Sequence, residues 1–265
     1  MTQGGSKGKS DSPMLSRLMP AVRTRLRNEA EMERARQLQE SLLPREVPQL
    51  RGFQIDCRWQ PSEMVSGDYY DVFPLDGGAM ALCIADVAGK GPEAVELAGR
   101  VRDAVRRYAP GAASSAELCT RVNRALSGTI APAKYITLLY AVLEASGRVR
   151  YENAGHCQPL LMRANGAVEF PSSFSGVVGI FSHWLYQNQE IELHAGDWLL
   201  LLTDGILDAE NRQHEAYGYR RLIAHLERQR GQRVESAAGE ILAEVSRFCR
   251  GRFVDDASLI VVKMQ

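Results

Sequence analysis

Beyond Leu50 the apolar residues recur with a period close to two, which is typical of strands that bury one face. Turn-forming sequences such as Asp76-Gly77-Gly78 and Ser146-Gly147 separate the segments that follow this pattern. Because short loops join antiparallel strands, we expect antiparallel sheets. The nine predicted strands are 53–60, 69–75, 79–87, 135–143, 148–153, 159–163, 187–193, 198–203 and 257–262.

A second pattern, with apolar residues every three to four positions, predicts helices. It is found at 92–108, 115–127, 216–228 and 234–249. These predicted helices come in pairs between blocks of strands. The grouping favours a layered α+β fold over a doubly wound parallel sheet.

The N-terminal part differs from the rest of the chain. Residues 1–13 are rich in Gly, Ser and Lys, so we expect a disordered tail there. Residues 14–44 are predicted to form a helical linker that is interrupted at Pro20 and ends at Pro44. Its narrow apolar stripe suits packing on its own domain as well as packing on a partner helix in a dimer. The stripe consists of Met32, Ala35, Leu38, Leu42 and Leu43.

The composition is that of an ordinary globular protein and excludes collagenous or low-complexity chains. The 265 residues hold 32 Lys and Arg against 32 Asp and Glu, and this zero net charge argues against a nucleic-acid binder. Five cysteines without a C-x-x-C pair indicate neither disulfides nor a zinc site, so a cytoplasmic location is expected. We see no signal peptide and no apolar run near the roughly 18 residues of a membrane span.

Four acidic residues stand at the end or edge of a predicted strand: Asp68, Asp86, Asp204 and Asp255. Each of them alone is explained by a turn or a helix cap. Several carboxylates at one rim of a sheet repel one another unless a cation lies among them. Oxygen ligands without His or Cys select Mg²⁺ or Mn²⁺ over zinc.

Other chemistries fit the sequence poorly. It has no H-E-x-x-H motif and no G-x-S-x-G motif, which argues against zinc proteases and serine hydrolases. The segment around Lys90 lacks the first glycine and the Ser/Thr of a phosphate-binding loop, so a nucleotide-dependent enzyme such as a cyclase is remote. A pair of carboxylate-held metal ions can instead activate water and neutralise a phosphoryl group.

The order of the motifs resembles that of the SpoIIE/RsbU-type bacterial serine phosphatases, a branch of the metal-dependent 2C-type (PPM) protein phosphatases. The similarity covers about residues 37–263. It rests on Leu-Leu-Pro at 42–44, Ser-Gly-Asp-Tyr-Tyr-Asp at 66–71, Asp-Val-Ala-Gly-Lys-Gly at 86–91, Asn-Ala-Gly-His at 153–156, Thr-Asp-Gly at 203–205 and Asp-Asp at 255–256. The resemblance implies an α-β-β-α sandwich of two antiparallel sheets flanked by helices, formed by residues 45–265.

The resemblance also implies a binuclear Mn²⁺ or Mg²⁺ centre. Asp86 would bridge both ions, and the carbonyl of Val87 would bind one of them. Asp204 and Asp255 would hold the other ion, while Asp68 would act directly or through a bound water. Asp256 would be a neighbour of the site and not a ligand.

The implied substrate is phosphoserine or phosphothreonine on an anti-sigma-factor antagonist. The resemblance thus implies a partner-switching signalling pathway that regulates a sigma factor. The phosphatase would be controlled by an activator protein or by a homodimer formed through the N-terminal helix. This control would pass through the linker 34–43 to the helices at 92–108 and 115–127, which form a switch in related enzymes. The alternative is an inactive module of the same fold that binds a phosphoprotein partner. The four retained aspartates argue against that alternative.

Three further residues lie within or beside these motifs, namely Ser66, Glu93 and His156. Ser66 replaces a glycine that is usual in the family, and would be strained if its φ were positive. Glu93 puts a charge at a helix start where small apolar residues are common. His156 is expected to have a structural role and is not counted among the catalytic residues.

Overall fold

The computed structural model describes residues 13–131, 134–171, 175–230 and 236–265, with side chains from Thr24 onward. Ten strands and six helices make up these described parts. The strands are β1 Phe53–Gln60, β2 Tyr69–Pro74, β3 Met80–Val87, β4 Ile136–Leu143, β5 Arg148–Ala154, β6 Leu160–Met162, β7 Val168–Glu169, β8 Gln189–Glu192, β9 Trp198–Leu202 and β10 Ala257–Met264. The helices are α1 Pro13–Leu42, α2 Pro92–Tyr108, α3 Ser115–Leu126, α4 Asp204–Leu207, α5 Gly218–Gln229 and α6 Ala237–Cys249.

The strands form two five-stranded sheets, in which every pair of named neighbours is antiparallel. The first sheet has the order β1-β10-β9-β6-β7, and the second has the order β2-β3-β4-β5-β8. β9 and β10 are therefore neighbours in one sheet, and β2 and β3 are neighbours in the other. This topology matters for function, because each pair of neighbours begins or ends beside a predicted site residue.

Three apolar cores separate four layers. One core lies between the helices α1, α2 and α3 and the second sheet. Another lies between the two sheets. A third lies between the first sheet and the helices α4, α5 and α6. The expected α-β-β-α sandwich is confirmed.

The predicted elements agree well with the observed ones. All nine predicted strands are present. β1 shows the alternation that a period of two predicts, whereas β6 and β9 are buried throughout. β7 was not predicted, because two residues are too short to show a period. The four-residue helix α4 directly follows β9 and was not predicted either. Val234, the predicted start of the last helix, lies outside the described residues.

The long helix α1 corrects one prediction. It runs through Pro20, where we expected an interruption. A proline removes one hydrogen bond within a helix, and the loss can be absorbed as a local kink. Ala35 and Leu42 of the predicted stripe are buried against the domain, whereas Leu38 is 37% exposed. None of the helices in the described ranges is long and apolar enough to cross a membrane.

Candidate metal centre

Two strand pairs, one from each sheet, bring the predicted aspartates to one rim of the sandwich. Asp68 immediately precedes β2, and Asp86 is the penultimate residue of β3. Asp204 lies two residues after β9, and Asp255 lies two residues before β10. Because each pair is antiparallel, the end of one strand lies beside the start of its neighbour.

Burial and nearby negative charge both act on these side chains. Burial, together with the charges of Asp204, Asp255 and Asp256, raises the pKa of Asp86 to about 7. Burial and the charge of Asp255 also raise the pKa of Asp204. Burial and the charge of Asp86 raise the pKa of Asp68 well above its usual value. Burial and neighbouring negative charge therefore disfavour the ionised forms of Asp68, Asp86 and Asp204.

Asp68 lies deepest and is held by two hydroxyl groups. Its Oδ2 accepts a hydrogen bond of 2.6 Å from Ser258 Oγ and one of 2.8 Å from Thr203 Oγ1. The backbone N–H of Asp68 donates to Ser66 Oγ at 3.0 Å. None of these three partners of Asp68 was predicted from the sequence. Both hydroxyls bind Oδ2, so Oδ1 of Asp68 receives neither of these two hydrogen bonds.

A lysine partly balances the acidic rim. Lys90 Nζ lies 3.5 Å from Asp255 Oδ1 and donates to the carbonyl of Val254 at 3.3 Å. About half of the Asp255 side chain is exposed. Lys90 therefore contacts the most accessible of the four carboxylates, and its charge lowers the pKa of Asp86.

Asp256 has a different role from its neighbour in the sequence. It is buried, and its Oδ1 accepts hydrogen bonds from both the backbone N–H and the hydroxyl of Ser62. Its Oδ2 accepts one from the backbone N–H of Gly67. These contacts fasten the loop before β2 to the start of β10, which suits the expectation that Asp256 is not a ligand.

Two glycines allow the backbone to pack closely at the rim. A Cβ on Gly67 would lie 2.7 Å from the carbonyl oxygen of Val87, the predicted backbone ligand. A Cβ on Gly205 would collide with the carbonyl of Asp256. Any larger residue at either position would push apart the segments that carry the aspartates.

The donor set fits a hard divalent cation. The predicted ligands at this rim are carboxylate oxygens and the carbonyl of Val87, and oxygen ligands of this kind are those that Mg²⁺ and Mn²⁺ prefer. Within the described ranges, however, no three His, Cys, Asp or Glu side chains stand close enough together to hold a metal ion. The rim is therefore an open set of mutually repelling carboxylates, whose repulsion a cation would relieve.

His156 takes a structural place beside the rim. Its Nδ1 lies 2.8 Å from Thr137 Oγ1, and its backbone N–H donates to the side chain of Asn153 at 2.7 Å. Burial lowers the pKa of His156 to about 4, so the ring is neutral near pH 7. A neutral, enclosed imidazole suits a packing role better than that of a proton donor.

Neither departure from the family pattern disturbs the rim. Among the described residues, only His214 and Arg250 combine a side chain with a positive φ, so Ser66 carries no such strain. Instead, the backbone of Ser66 binds the side chain of Gln39, which is buried in α1. Glu93 forms an ion pair of 2.8 Å with Lys134, and its hydrogen bond with Lys134 lowers its pKa.

Comparison with known proteins places this chain with the SpoIIE-type phosphatases that its motifs resemble. The family model described as Stage II sporulation protein E (SpoIIE) matches residues 76–265. Protein IcfG of Synechocystis sp. is 28% identical in an alignment of 228 positions that covers 75% of this chain and 36% of IcfG. Phosphoserine phosphatase RsbU of Bacillus subtilis is 26% identical over 181 residues, 68% of this chain and 54% of RsbU. The chain thus spans about a third to a half of the length of these relatives.

A solved structure gives the same fold at lower identity. The SiaA-PP2C domain of Pseudomonas aeruginosa superposes with a TM-score of 0.76 at 18% identity, covering 91% of this chain and 99% of that domain. At this identity the match is evidence for the fold and not for a shared activity. It agrees with the two sheets and the flanking helices described above.

Proposed function

This chain belongs to the SpoIIE family, and on that premise we propose that it is a metal-dependent phosphatase of phosphoserine and phosphothreonine in a partner protein. The observation that carries the proposal is the position of Asp68, Asp86, Asp204 and Asp255 beside four strand ends at one rim of the sandwich, where burial and neighbouring charges raise the pKa of three of the four. Holding ionised carboxylates close together costs free energy, and bound cations would offset that cost. The relative RsbU, named a phosphoserine phosphatase, supports the same reaction class.

Asp86, Asp204, Asp255 and the carbonyl of Val87 would hold two Mn²⁺ or Mg²⁺ ions. When bound, such a pair supplies activation of a water molecule and neutralisation of charge on a phosphoryl group. Asp68 is fixed by the hydroxyls of the two opposite strand ends, so it can orient a water at the rim or bind an ion directly.

We further propose that the substrate is a phosphorylated anti-sigma-factor antagonist in a partner-switching pathway. The similarity to RsbU supports this class of signalling protein. The contact between Gln39 and Ser66 supports control through α1, because it links that helix to the loop that leads into Asp68. A partner or a second copy that moved α1 would therefore act on the rim directly.

The decisive test measures phosphate release from p-nitrophenyl phosphate and from a phosphoserine peptide. We expect turnover with Mn²⁺, loss of turnover with EDTA, and recovery when Mn²⁺ is added back. Asp204→Asn is expected to remove turnover, whereas Asp103→Asn, which changes an exposed carboxylate on α2, is expected to retain it. Binding of the phosphopeptide without any hydrolysis in Mn²⁺ would instead identify an inactive binding module.

A further inference from the structure

A groove with three arginines lies beside the proposed metal centre. Its volume is about 570 Å³. One wall is the loop after α4, which contributes Arg212 and His214. The other wall is the end of α6 and the segment after it, which contributes Arg250 and Arg252. We call this surface the arginine groove, after Arg212, Arg250 and Arg252.

Both walls of the arginine groove are continuous with predicted metal ligands. The loop wall begins a few residues after Asp204, the first residue of α4. On the other wall, Arg252 lies three residues before Asp255. Three residues of extended chain span at most about 11 Å. A substrate that reaches the rim with its phosphoserine thus lies within a few residues' reach of the groove.

Among the described residues, the positive charge of the groove has no ion-pair partner. All three arginines are exposed. In the part of the chain that the structure describes, none of their guanidinium groups lies within 4.0 Å of a carboxylate oxygen. The acid in the groove, Glu210, is instead 2.8 Å from His214 Nδ1. Two nearby arginines are already paired, Arg221 with Glu215 at 3.1 Å and Arg247 with Glu244 at 2.7 Å.

Backbone strain is concentrated at the same place. His214, with φ 59°, and Arg250, with φ 57°, are the only non-glycine residues with positive φ among those described, and both line the groove. Arg250 occupies the left-handed position at the end of α6, where glycine is usual. Such strain tends to be retained where a side chain has a task beyond folding.

We propose that the arginine groove binds acidic residues that flank the phosphoserine of the protein substrate. This inference rests on the proposed phosphatase function and adds a determinant of substrate choice to it. The rim itself is acidic, so an acidic substrate segment would be repelled there. The three arginines offer that segment a complementary surface at the edge of the rim.

The test compares two phosphoserine peptides, one with Asp and Glu three to five residues from the phosphoserine on both sides and one with Gln and Ser there. The readout is the ratio of kcat/KM for each peptide to kcat/KM for p-nitrophenyl phosphate, in the full chain with Mn²⁺. For the acidic peptide we expect the triple variant R212E/R250E/R252E to lower this ratio about tenfold, since three exposed ion pairs become repulsive. For the neutral peptide the ratio should change less than twofold.

The matched control reverses three other exposed arginines, in the variant R45E/R51E/R124E, which should leave both ratios as in the original chain. A neutralised variant, R212Q/R250Q/R252Q, gives a smaller loss and guards against misfolding caused by charge reversal. Raising the salt concentration should lower the ratio for the acidic peptide in the original chain and not in R212E/R250E/R252E.

Two results would overturn the proposal separately from the phosphatase function. One is an unchanged ratio for the acidic peptide in a groove variant that still hydrolyses p-nitrophenyl phosphate. The other is an equal loss for the acidic and neutral peptides, which would mean that the arginines support the site and do not read the flanking charge. An original chain that hydrolyses no phosphate ester in Mn²⁺ would overturn the phosphatase proposal and this one with it.

Discussion

The side-chain amide of Gln39 forms a pair of hydrogen bonds with the backbone of Ser66. Nε2 donates to the carbonyl of Ser66 at 2.8 Å, and the N–H of Ser66 donates to Oε1 at 3.0 Å. Gln39 is 1% exposed and Ser66 is fully buried. Ser66 Oγ in turn accepts from the N–H of Asp68. A residue of α1 is thus two contacts away from a proposed catalytic carboxylate.

Gln39→Ala is expected to lower both stability and activity. The change leaves the N–H and carbonyl of Ser66 buried without partners, which typically costs about 1–3 kcal/mol for each unsatisfied group. We expect the free energy of unfolding in urea to fall by about 2 kcal/mol, with a loss of turnover that added Mn²⁺ does not restore in full. Gln37→Ala is the control, because Gln37 is an exposed residue of the same helix bonded to Glu33. Equal stability of the two variants would show that the Ser66 contact is dispensable.

Ser258→Ala tests the hydroxyls that hold Asp68. Its Oγ donates the shorter of the two hydrogen bonds to Asp68 Oδ2, and this bond lowers the pKa of a carboxyl that burial raises. Removing a partner of a metal-site carboxylate typically costs about 10–100-fold in affinity or activity. We expect Mn²⁺ affinity, measured by isothermal titration calorimetry, to fall within that range. Ser127→Ala, which removes a hydroxyl bonded to Asn123 on α3, should leave the Mn²⁺ affinity unchanged; a similar fall in both would contradict the role of Ser258.

Asp197 gives a pH dependence of stability that is independent of the metal site. Burial raises its pKa, but hydrogen bonds from the backbone N–H groups of His194 and Ala164 and from Arg163 outweigh this and lower it overall. Because the folded pKa lies below the unfolded value of about 3.9, the carboxylate stabilises the fold above about pH 4 and this contribution is lost as the pH falls further.

Asp197→Asn should therefore lower the free energy of unfolding by about 1–3 kcal/mol at pH 7. The difference from the original chain should shrink when both are unfolded in urea at pH 3. Asp103→Asn, with its exposed side chain, serves as the control and should show little difference at either pH. A deficit in Asp197→Asn that is as large at pH 3 as at pH 7 would mean that the charge of Asp197 is not what stabilises the turn.

The sequence predicted the layers of this fold because apolar segments bounded by turn-forming residues mark the strands, and the three cores account for their buried faces. It also predicted the four aspartates, each of which stands beside a strand end. It could not reveal the partners of Asp68, since Thr203 and Ser258 lie 135 and 190 residues away. Gln39 was missed for a different reason. It lies in a run of charged residues that is typical of a solvated helix face, and only the contact with the loop before β2 buries it.

Asp86→Asn tests whether the carboxylate of Asp86 destabilises the metal-free protein. Burial and three neighbouring carboxylates raise the pKa of Asp86 to about 7, so its ionised form is disfavoured in the metal-free fold. An uncharged amide removes that repulsion at the same side-chain size. In EDTA at pH 8 we expect the variant to have a higher free energy of unfolding than the original chain, by about 1 kcal/mol or more, since one pKa unit corresponds to about 1.4 kcal/mol. Its unfolding temperature should be higher accordingly.

Mn²⁺ should reverse the order of the two proteins. A ligand that binds only the folded state at 100 times its dissociation constant stabilises that state by about 2.7 kcal/mol, and the original chain should gain stability of this order. The Asp86→Asn variant should gain much less, because it lacks the carboxylate proposed to bridge both ions. Asp103→Asn should follow the original chain in both conditions. If Asp86→Asn is less stable than the original chain in EDTA, the aspartates do not repel one another at this rim; if Mn²⁺ stabilises both equally, Asp86 does not hold the ions.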